Sequence, residues 1–298
     1  MKYAIGIDIG GTNTRVALID EEYHLVERVQ FDTDAHNPEV TLKKINDAIK
    51  LFDKEIVGIG VSCPGPLDLL HGVVLNTPNL HGGWMNFPIV EELSKVTGLP
   101  VFLENDANLA ALAEAMIGQG KDLRYVQFLT ISTGLGSGFV VDKKIYQGAH
   151  GYANEIANMI MWKGGPSHGK LFPGGIEAIS SGTAITKRAQ RAGLNVAHAG
   201  EVNDLAVKGN VTAQEIMDDA KEYLANTLAA IFALVDPEIF ILGGSVALKI
   251  DGFVEEVEKR TKAKVYPGMD AYVRVVKSNL NEDSGLIGAA CLAFNKVA

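Results

Sequence analysis

Cysteine is scarce: only Cys63 and Cys291 occur in 298 residues. Each has apolar neighbours, which fits buried free thiols in a reducing compartment and excludes a disulfide framework. Basic runs are missing too, since 27 Lys and Arg stand against 36 Asp and Glu, a net charge of −9. That balance offers no cationic face to a phosphodiester backbone and excludes nucleic acid as a partner. The longest apolar window, Leu224 to Val235, is too short to cross a bilayer and contains Asn226 and Thr227. The chain opens directly on a strand-like segment, so no signal peptide is expected and the reading is cytoplasmic. What the chain has is glycine, 32 residues of it, and enough hydrophobic residues (47%) for a large core. Its length exceeds that of one usual domain, so two lobes are expected.

The densest signal is Asp8-Ile9-Gly10-Gly11-Thr12-Asn13-Thr14-Arg15. It joins two apolar, strand-like runs, Tyr3 to Ile7 and Val16 to Ile19. Paired glycines with hydroxyl neighbours make a tight turn lined by backbone N–H groups, a shape that wraps phosphate. No Gly-Lys-Ser/Thr follows, so this is not a Walker loop. Alone, such a turn is suggestive only, since Gly-Gly turns also serve merely to connect strands.

The theme returns. Val126–Ser132 reads as a strand ending in a glycine turn with Gly134, Gly136 and Gly138, and Phe139 to Val141 as the returning strand. Ile239 to Leu242 is a buried strand that ends in Gly243-Gly244-Ser245. Helical spacing predicts a helix over Glu39–Phe52, and the strand Ile56–Ser62 stops at Cys63-Pro64-Gly65-Pro66. Val101–Leu103 runs into Glu104-Asn105-Asp106 and a helix. Thr212 with Glu215 predicts a capping box for a long helix that stops before Pro237. The last helix is expected from Ser284 through Phe294. The lobes are expected to meet near residues 115–120, giving 1–117 plus 284–298 as a small lobe and 118–283 as a large one.

Three strand-to-glycine turns, with an Asn-Asp dipeptide opening a helix between the first two, resemble the actin-like ATPase (ribonuclease H-like) fold. Within it the chain resembles the ROK family (repressors, open reading frames and kinases). The matching segments include Asp8–Arg15, Cys63–Asp68, Thr77–Leu80, Glu104–Glu114, Thr130–Phe139, Gly175–Ile185, Leu242–Ala247 and Gly285–Leu292, in family order. The resemblance implies two α/β lobes with a central cleft, and an ATP- and Mg²⁺-dependent sugar kinase, commonly a homodimer, that phosphorylates a 6-hydroxyl.

Phosphoryl transfer to a hydroxyl needs positioning, charge neutralisation and a proton acceptor. Asp106 falls where the family's catalytic aspartate does. The plainer reading of the residue is a helix cap, but Asn105 beside it supplies a sugar contact that capping does not require. Asp8 matches the acidic residue that holds Mg²⁺ through water. Gly10, Gly11, Thr12 and Asn13, with Thr133, Gly134 and Gly136, match the phosphate turns, and Gly243, Gly244 and Ser245 the adenosine side. Gly65, Asn79, Asn105, Glu155, Asn158 and Glu177 fall on sugar-binding positions; fixed polar groups of that kind suit a polyhydroxylated substrate.

One departure stands out. Zinc-bearing relatives carry Glu-x-Gly-His where this chain has Glu155-Ile156-Ala157-Asn158, and the following loop, 164–175, has His168 but no cysteine. Without thiolates no structural zinc is expected. Either Asn158 replaces the histidine's hydrogen bond and the substrate is glucose or N-acetylmannosamine, or the freed space admits a β-glucoside of the cellobiose type. In the second case Trp162 and Phe172 would stack on a second ring. Rival classes fare worse. A DNA-binding repressor would need a helix-turn-helix ahead of residue 8, and a catalytically dead sugar sensor would need neither Asp8 nor Asp106. A glycosidase using Glu155 and Glu177 would leave the glycine turns unexplained.

Overall fold

The computed structural model describes residues 1–280 and 283–297. In chain order the elements are β1 (Tyr3–Ile9), β2 (Asn13–Asp20), β3 (Leu25–Asp32), α1 (Pro38–Leu51), β4 (Ile56–Ser62), β5 (Leu67–Asp68), β6 (Val73–Val74), α2 (Ile89–Thr97), β7 (Val101–Glu104) and α3 (Asp106–Met116). There follow β8 (Tyr125–Ile131), β9 (Leu135–Val141), β10 (Lys144–Ile145), α4 (Ile176–Ser180), α5 (Gly182–Arg191), α6 (Ala199–Val207) and α7 (Val211–Val235). The last are β11 (Ile239–Gly243), α8 (Gly244–Lys249), α9 (Phe253–Lys262), β12 (Val275–Lys277) and α10 (Ser284–Val297).

Two compact units result: Met1–Gly118 with Lys143–Ala153 and Leu280–Ala298, and Gln119–Asp142 with Asn154–Asn279. The first holds a sheet in the order β3-β2-β1-β4-β7. β1 is antiparallel to β2 and parallel to β4, which is parallel to β7. The second unit repeats the plan with β9-β8-β11-β12, an antiparallel pair followed by two parallel neighbours.

Strand alternation decides what each face of the first sheet meets. Ile5, Ile7 and Ile9 pack with Leu42, Ile45 and Ile49 of α1 and Leu93 of α2. Ala4, Ala17 and Ile19 face Leu286, Ala290 and Ala293 of α10. That helix lies flat against the sheet because glycine lets it: a Cβ on Gly6 would sit 2.0 Å from the Leu286 carbonyl oxygen, and one on Gly60 1.8 Å from that of Ala289. Gly288 brings α10 equally close to α3, its hypothetical Cβ 2.0 Å from the Leu109 oxygen. Thus α3 is held by a helix that is itself held by the sheet. The second unit's core runs along α7, through Leu224, Leu228 and Phe232, to Phe240 and Leu242 of β11 and Phe253 of α9.

Several sequence expectations shift. The long helix α7 starts at Val211 and is capped by Asn210, whose side chain accepts the Ala213 N–H at 2.9 Å, not by Thr212. Gly136 and Gly138 lie inside β9, paired with Thr130 and Phe128, so the turn itself is Ser132–Gly134. Residues 143–153, read with the large lobe, pack with the first unit instead. Lys143 Nζ donates to the Ala115 carbonyl at 2.6 Å, and Asn295 Nδ2 to the Lys143 carbonyl at 2.7 Å. Among the described residues no helix is long and apolar enough to cross a membrane.

Candidate active site

The first unit gathers its polar side chains at the carboxyl ends of its parallel strands, where ligands of open α/β sheets bind. Asp8, Ser62 and Glu104 pair in register across β1, β4 and β7. They share the sheet face of Gly6 and Gly60, the face covered by α10. Asp8 is half-buried and takes Arg15 through one oxygen, Nη2 at 2.7 Å and Nε at 3.2 Å from Oδ2. The Gly10–Asn13 turn beyond it is closed by the Gly10 N–H on the Asn13 carbonyl, at 2.9 Å. Gly11 has no room for a side chain: a Cβ there would come within 2.7 Å of Asn79. The predicted phosphate turn and a predicted sugar residue therefore touch. Gly65, exposed, follows β4 and precedes a cis-linked Pro66.

At the start of α3 the roles of two residues separate. Asn105 is the cap, its side chain accepting the Asn108 N–H at 2.7 Å. Asp106 is the first helical residue; its Oδ1 accepts the Ala107 N–H at 2.9 Å, and its side chain keeps solvent access. The cap reading of Asp106 is thereby displaced by one residue. Crowding by surrounding protein pushes the Asp106 carboxyl above its ordinary value, the charge of Asp8 adds to the rise, and the Ala107 N–H opposes it. The fully buried Cys63 thiol is pushed up by burial first and then by the charges of Asp8 and Asp106. One thiol feels both carboxylates, so the proposed base and the proposed magnesium ligand lie in one neighbourhood.

In the second unit, the Ser132–Gly134 turn, the start of α5 and the start of α8 surround a cavity of about 730 Å³. Its lining includes Thr133 and Ser245, two of the predicted nucleotide ligands, together with Gly182 and Thr183 of α5. Gly243 ends β11, and Gly244 begins α8 at φ +83°, its hypothetical Cβ only 2.4 Å from the Ile131 carbonyl oxygen. No other residue type fits that corner. Ser245 Oγ lies 3.3 Å from Ser132 Oγ. Lys187, His198, Asn203, Asp204 and Lys249 also line the cavity. Sequence reading missed them because they come from three helices and the cap of one of them, whose polar faces look like ordinary solvated surface until the chain is folded.

The predicted sugar residues of this unit are engaged unequally. Glu177 is half-buried and its Oε2 accepts the Leu135 N–H at 2.7 Å, which ties it to the second glycine turn. Glu155 and Asn158 are exposed, but Asn158 Oδ1 accepts the Phe172 N–H at 2.9 Å. Trp162 is not available as a platform for a second sugar. Its ring stacks on Tyr223, centroids 4.9 Å apart and planes 10° apart, and the Arg188 guanidinium lies 5.8 Å from its centre. Phe172 remains 57% exposed. Among the described residues no group of three or more His, Cys, Asp or Glu is arranged to hold a metal. A magnesium ion bound by few carboxylates and by substrate phosphates needs no such cage; the half-buried Asp8 is a hard oxygen donor of the right kind.

A family model, that of the ROK family, matches residues 4–296. The glucokinase of Thermotoga maritima is 31% identical to this chain, over 98% of each. The N-acetylmannosamine kinase of Salmonella typhi is also 31% identical, over 97% of each. A crystal structure of a ROK hexokinase from Thermus thermophilus superposes with a TM-score of 0.90 at 30% identity, covering 99% of both chains.

Proposed function

Because the chain belongs to the ROK family, has its actin-like ATPase fold and is an ATP-dependent carbohydrate kinase, we propose that it phosphorylates the 6-hydroxyl of a free hexose or N-acetylhexosamine, glucose or N-acetylmannosamine. Asp106 is the general base. The observation that carries this reading is a carboxylate on the first turn of α3, open to solvent yet crowded enough to be poised upward, beside a second acid at a glycine turn. As the acceptor oxygen attacks the γ-phosphorus, its proton passes to Asp106, the new O–P bond forms and ADP leaves with the old one. Asn79, Asn105, Glu155 and Glu177 hold the hydroxyls, with Gly65 beside them.

ATP occupies the cavity of the second unit, between the Thr133–Gly134 turn and Gly243–Ser245. The open end of α5 and the side chains of Lys187 and Lys249 suit its phosphates. Gly10, Gly11, Thr12 and Asn13 form the phosphate turn of the first unit. Asp8 would hold Mg²⁺, which when bound would supply neutralisation of charge on the phosphate oxygens. No structural zinc is required, and the working form is a cytoplasmic homodimer.

A β-glucoside kinase is the second reading. The observation in its favour is that Asn158 Oδ1 is spent on the Phe172 N–H, leaving that residue less to offer the anomeric hydroxyl. ADP release against glucose, N-acetylmannosamine, allose and cellobiose separates the two. Asp106→Asn should lower turnover on the best sugar by about 10²–10⁴ while the fold is kept. Normal turnover by that variant would remove the base assignment, and turnover on cellobiose alone would favour the second reading.

A further inference from the structure

Glu104 has no part in the chemistry just described, yet among the described residues it is the most deeply buried acid of the first unit, with no accessible surface. It ends β7, one residue before the Asn105 cap and two before Asp106. Three donors converge on it. Oε1 accepts the Asn105 N–H at 3.0 Å and Asn108 Nδ2 at 2.9 Å, and Oε2 accepts Gln147 Nε2 at 2.6 Å. Burial pushes its carboxyl up, while these hydrogen bonds pull against the rise. A buried carboxylate is a poor device for stability alone, since an apolar side chain of like volume commonly serves as well. Its use is directional.

The arrangement says which direction. Asn105 and Asn108 bracket Asp106 on the first turn of α3, so one carboxylate oxygen clamps the backbone on the entry side and the side chain on the exit side. Asn108 has turned its Nδ2 to that oxygen at the cost of leaving its own Oδ1 buried without a partner among the described residues. Gln147 fastens the other oxygen from residues 143–153, a segment anchored at the far end of α3 by Lys143. Turn, helix and segment are thus closed into one ring of contacts, and Asp106 projects from it.

We propose that Glu104, locked by Gln147, is the positioning residue that fixes Asp106 for proton abstraction. The proposal rests on the reading of Asp106 as base. Misplacement of a catalytic group by about 1 Å costs on the order of 10² in rate. Glu104→Ala should therefore lower kcat by about 10–10², with the sugar KM moved by less than about threefold. Glu104→Gln should stay within about threefold of the parent, because its amide oxygen still accepts and Gln147 can turn its own oxygen to meet the new NH₂. Gln147→Ala, which leaves Glu104 in place, should lower kcat by about fivefold, a smaller misplacement.

The deciding measurement is a cycle with Asp106→Asn. A residue that acts through Asp106 has little left to do once that base is gone, so adding Glu104→Ala or Gln147→Ala should change kcat by less than about twofold. Equal losses in both backgrounds, or an undiminished kcat in Glu104→Ala, would overturn the proposal. Should Glu104→Ala fail to fold by circular dichroism, Gln147→Ala enters the same cycle: a loss confined to the Asp106 background supports the proposal, and an equal loss in both overturns it. Full activity in Asp106→Asn alone would instead strike at the base assignment, a distinct result.

Discussion

At the residue scale, Asp106, the proposed base, would take a proton in a place that favours its neutral form. Protein crowding and the negative charge of Asp8 raise its pKa above the ordinary 3.8, against the Ala107 N–H, which lowers it. The helix N-terminus adds a further pull toward the charged state. A base works only when ionised, so activity must be lost as pH falls through the raised value. The acid limb of kcat/KM for the sugar should therefore lie above that of an unperturbed aspartate. Asp8→Asn removes a like charge and should move the limb to lower pH, even as turnover drops with loss of the proposed magnesium ligand. A pH–rate profile of both proteins at saturating Mg²⁺ checks this. A parent limb at or below the ordinary aspartate value, or an upward move in Asp8→Asn, would contradict it. Arg15 belongs to the same account: its contact with Asp8 keeps one carboxylate oxygen occupied and its direction fixed.

At the element scale, packing contacts close the loop 158–175, where the resemblance would place a zinc site. Asn158 Oδ1 takes the Phe172 N–H, the Gly174 N–H reaches the Pro166 carbonyl at 2.8 Å, and the Trp162 ring lies on Tyr223. Arg188, bonded to Asp219, sits over the same indole. His168 is left half-buried with its pKa lowered, by burial first and then by Lys187. A loop closed this way is the basis of the proposal that no zinc is required. Dialysis against a chelator should leave the melting temperature unchanged, and elemental analysis should find no stoichiometric zinc. One zinc per chain, or a chelator-induced fall of several degrees, would refute it.

This loop also marks where sequence stops being legible. The missing cysteines could be read directly, because thiolate ligands are local and their spacing is visible. The packing that closes the loop could not, since Tyr223 lies 61 positions beyond Trp162. The same limit explains the rest. Strands ending in glycine turns were plain, for alternation and turn chemistry are near-neighbour properties. The cap of α3 is Asn105, one residue before the Asp106 of the plainer reading, because Asn and Asp cap equally well and only the bond to Asn108 tells them apart. The capping box at Thr212 lost to Asn210 for the same reason. Glu104 looked like a strand-end residue until Gln147, 43 positions on, was seen to reach it.

At the scale of the whole molecule, the chain's two ends complete one unit. The first unit draws on Met1–Gly118, Lys143–Ala153 and Leu280–Ala298, whereas the second is almost continuous, from Gln119 to Asn279 apart from one excursion. Helix α10 covers Ala4, Ala17 and Ile19, and its backbone rests on Gly6 and Gly60. During synthesis the second unit therefore has all its residues before the first has its last helix, and domains generally fold as units when their residues are available. A chain ending at Asp283 should keep the second unit folded and lose the first, since a whole sheet face would stand in water and α3 would lose the helix it packs on. Limited proteolysis with mass analysis should then leave resistant pieces close to residues 119–142 and 154–279, cleaved from each other within 143–153, and digest the N-terminal hundred residues. Sugar-dependent ADP release should be absent, because Asp8, Asn105 and Asp106 all belong to the unit that is lost. A truncated chain that resists proteolysis from its first strand onward, or still phosphorylates sugar, would show that α10 is not the closing piece the packing makes it.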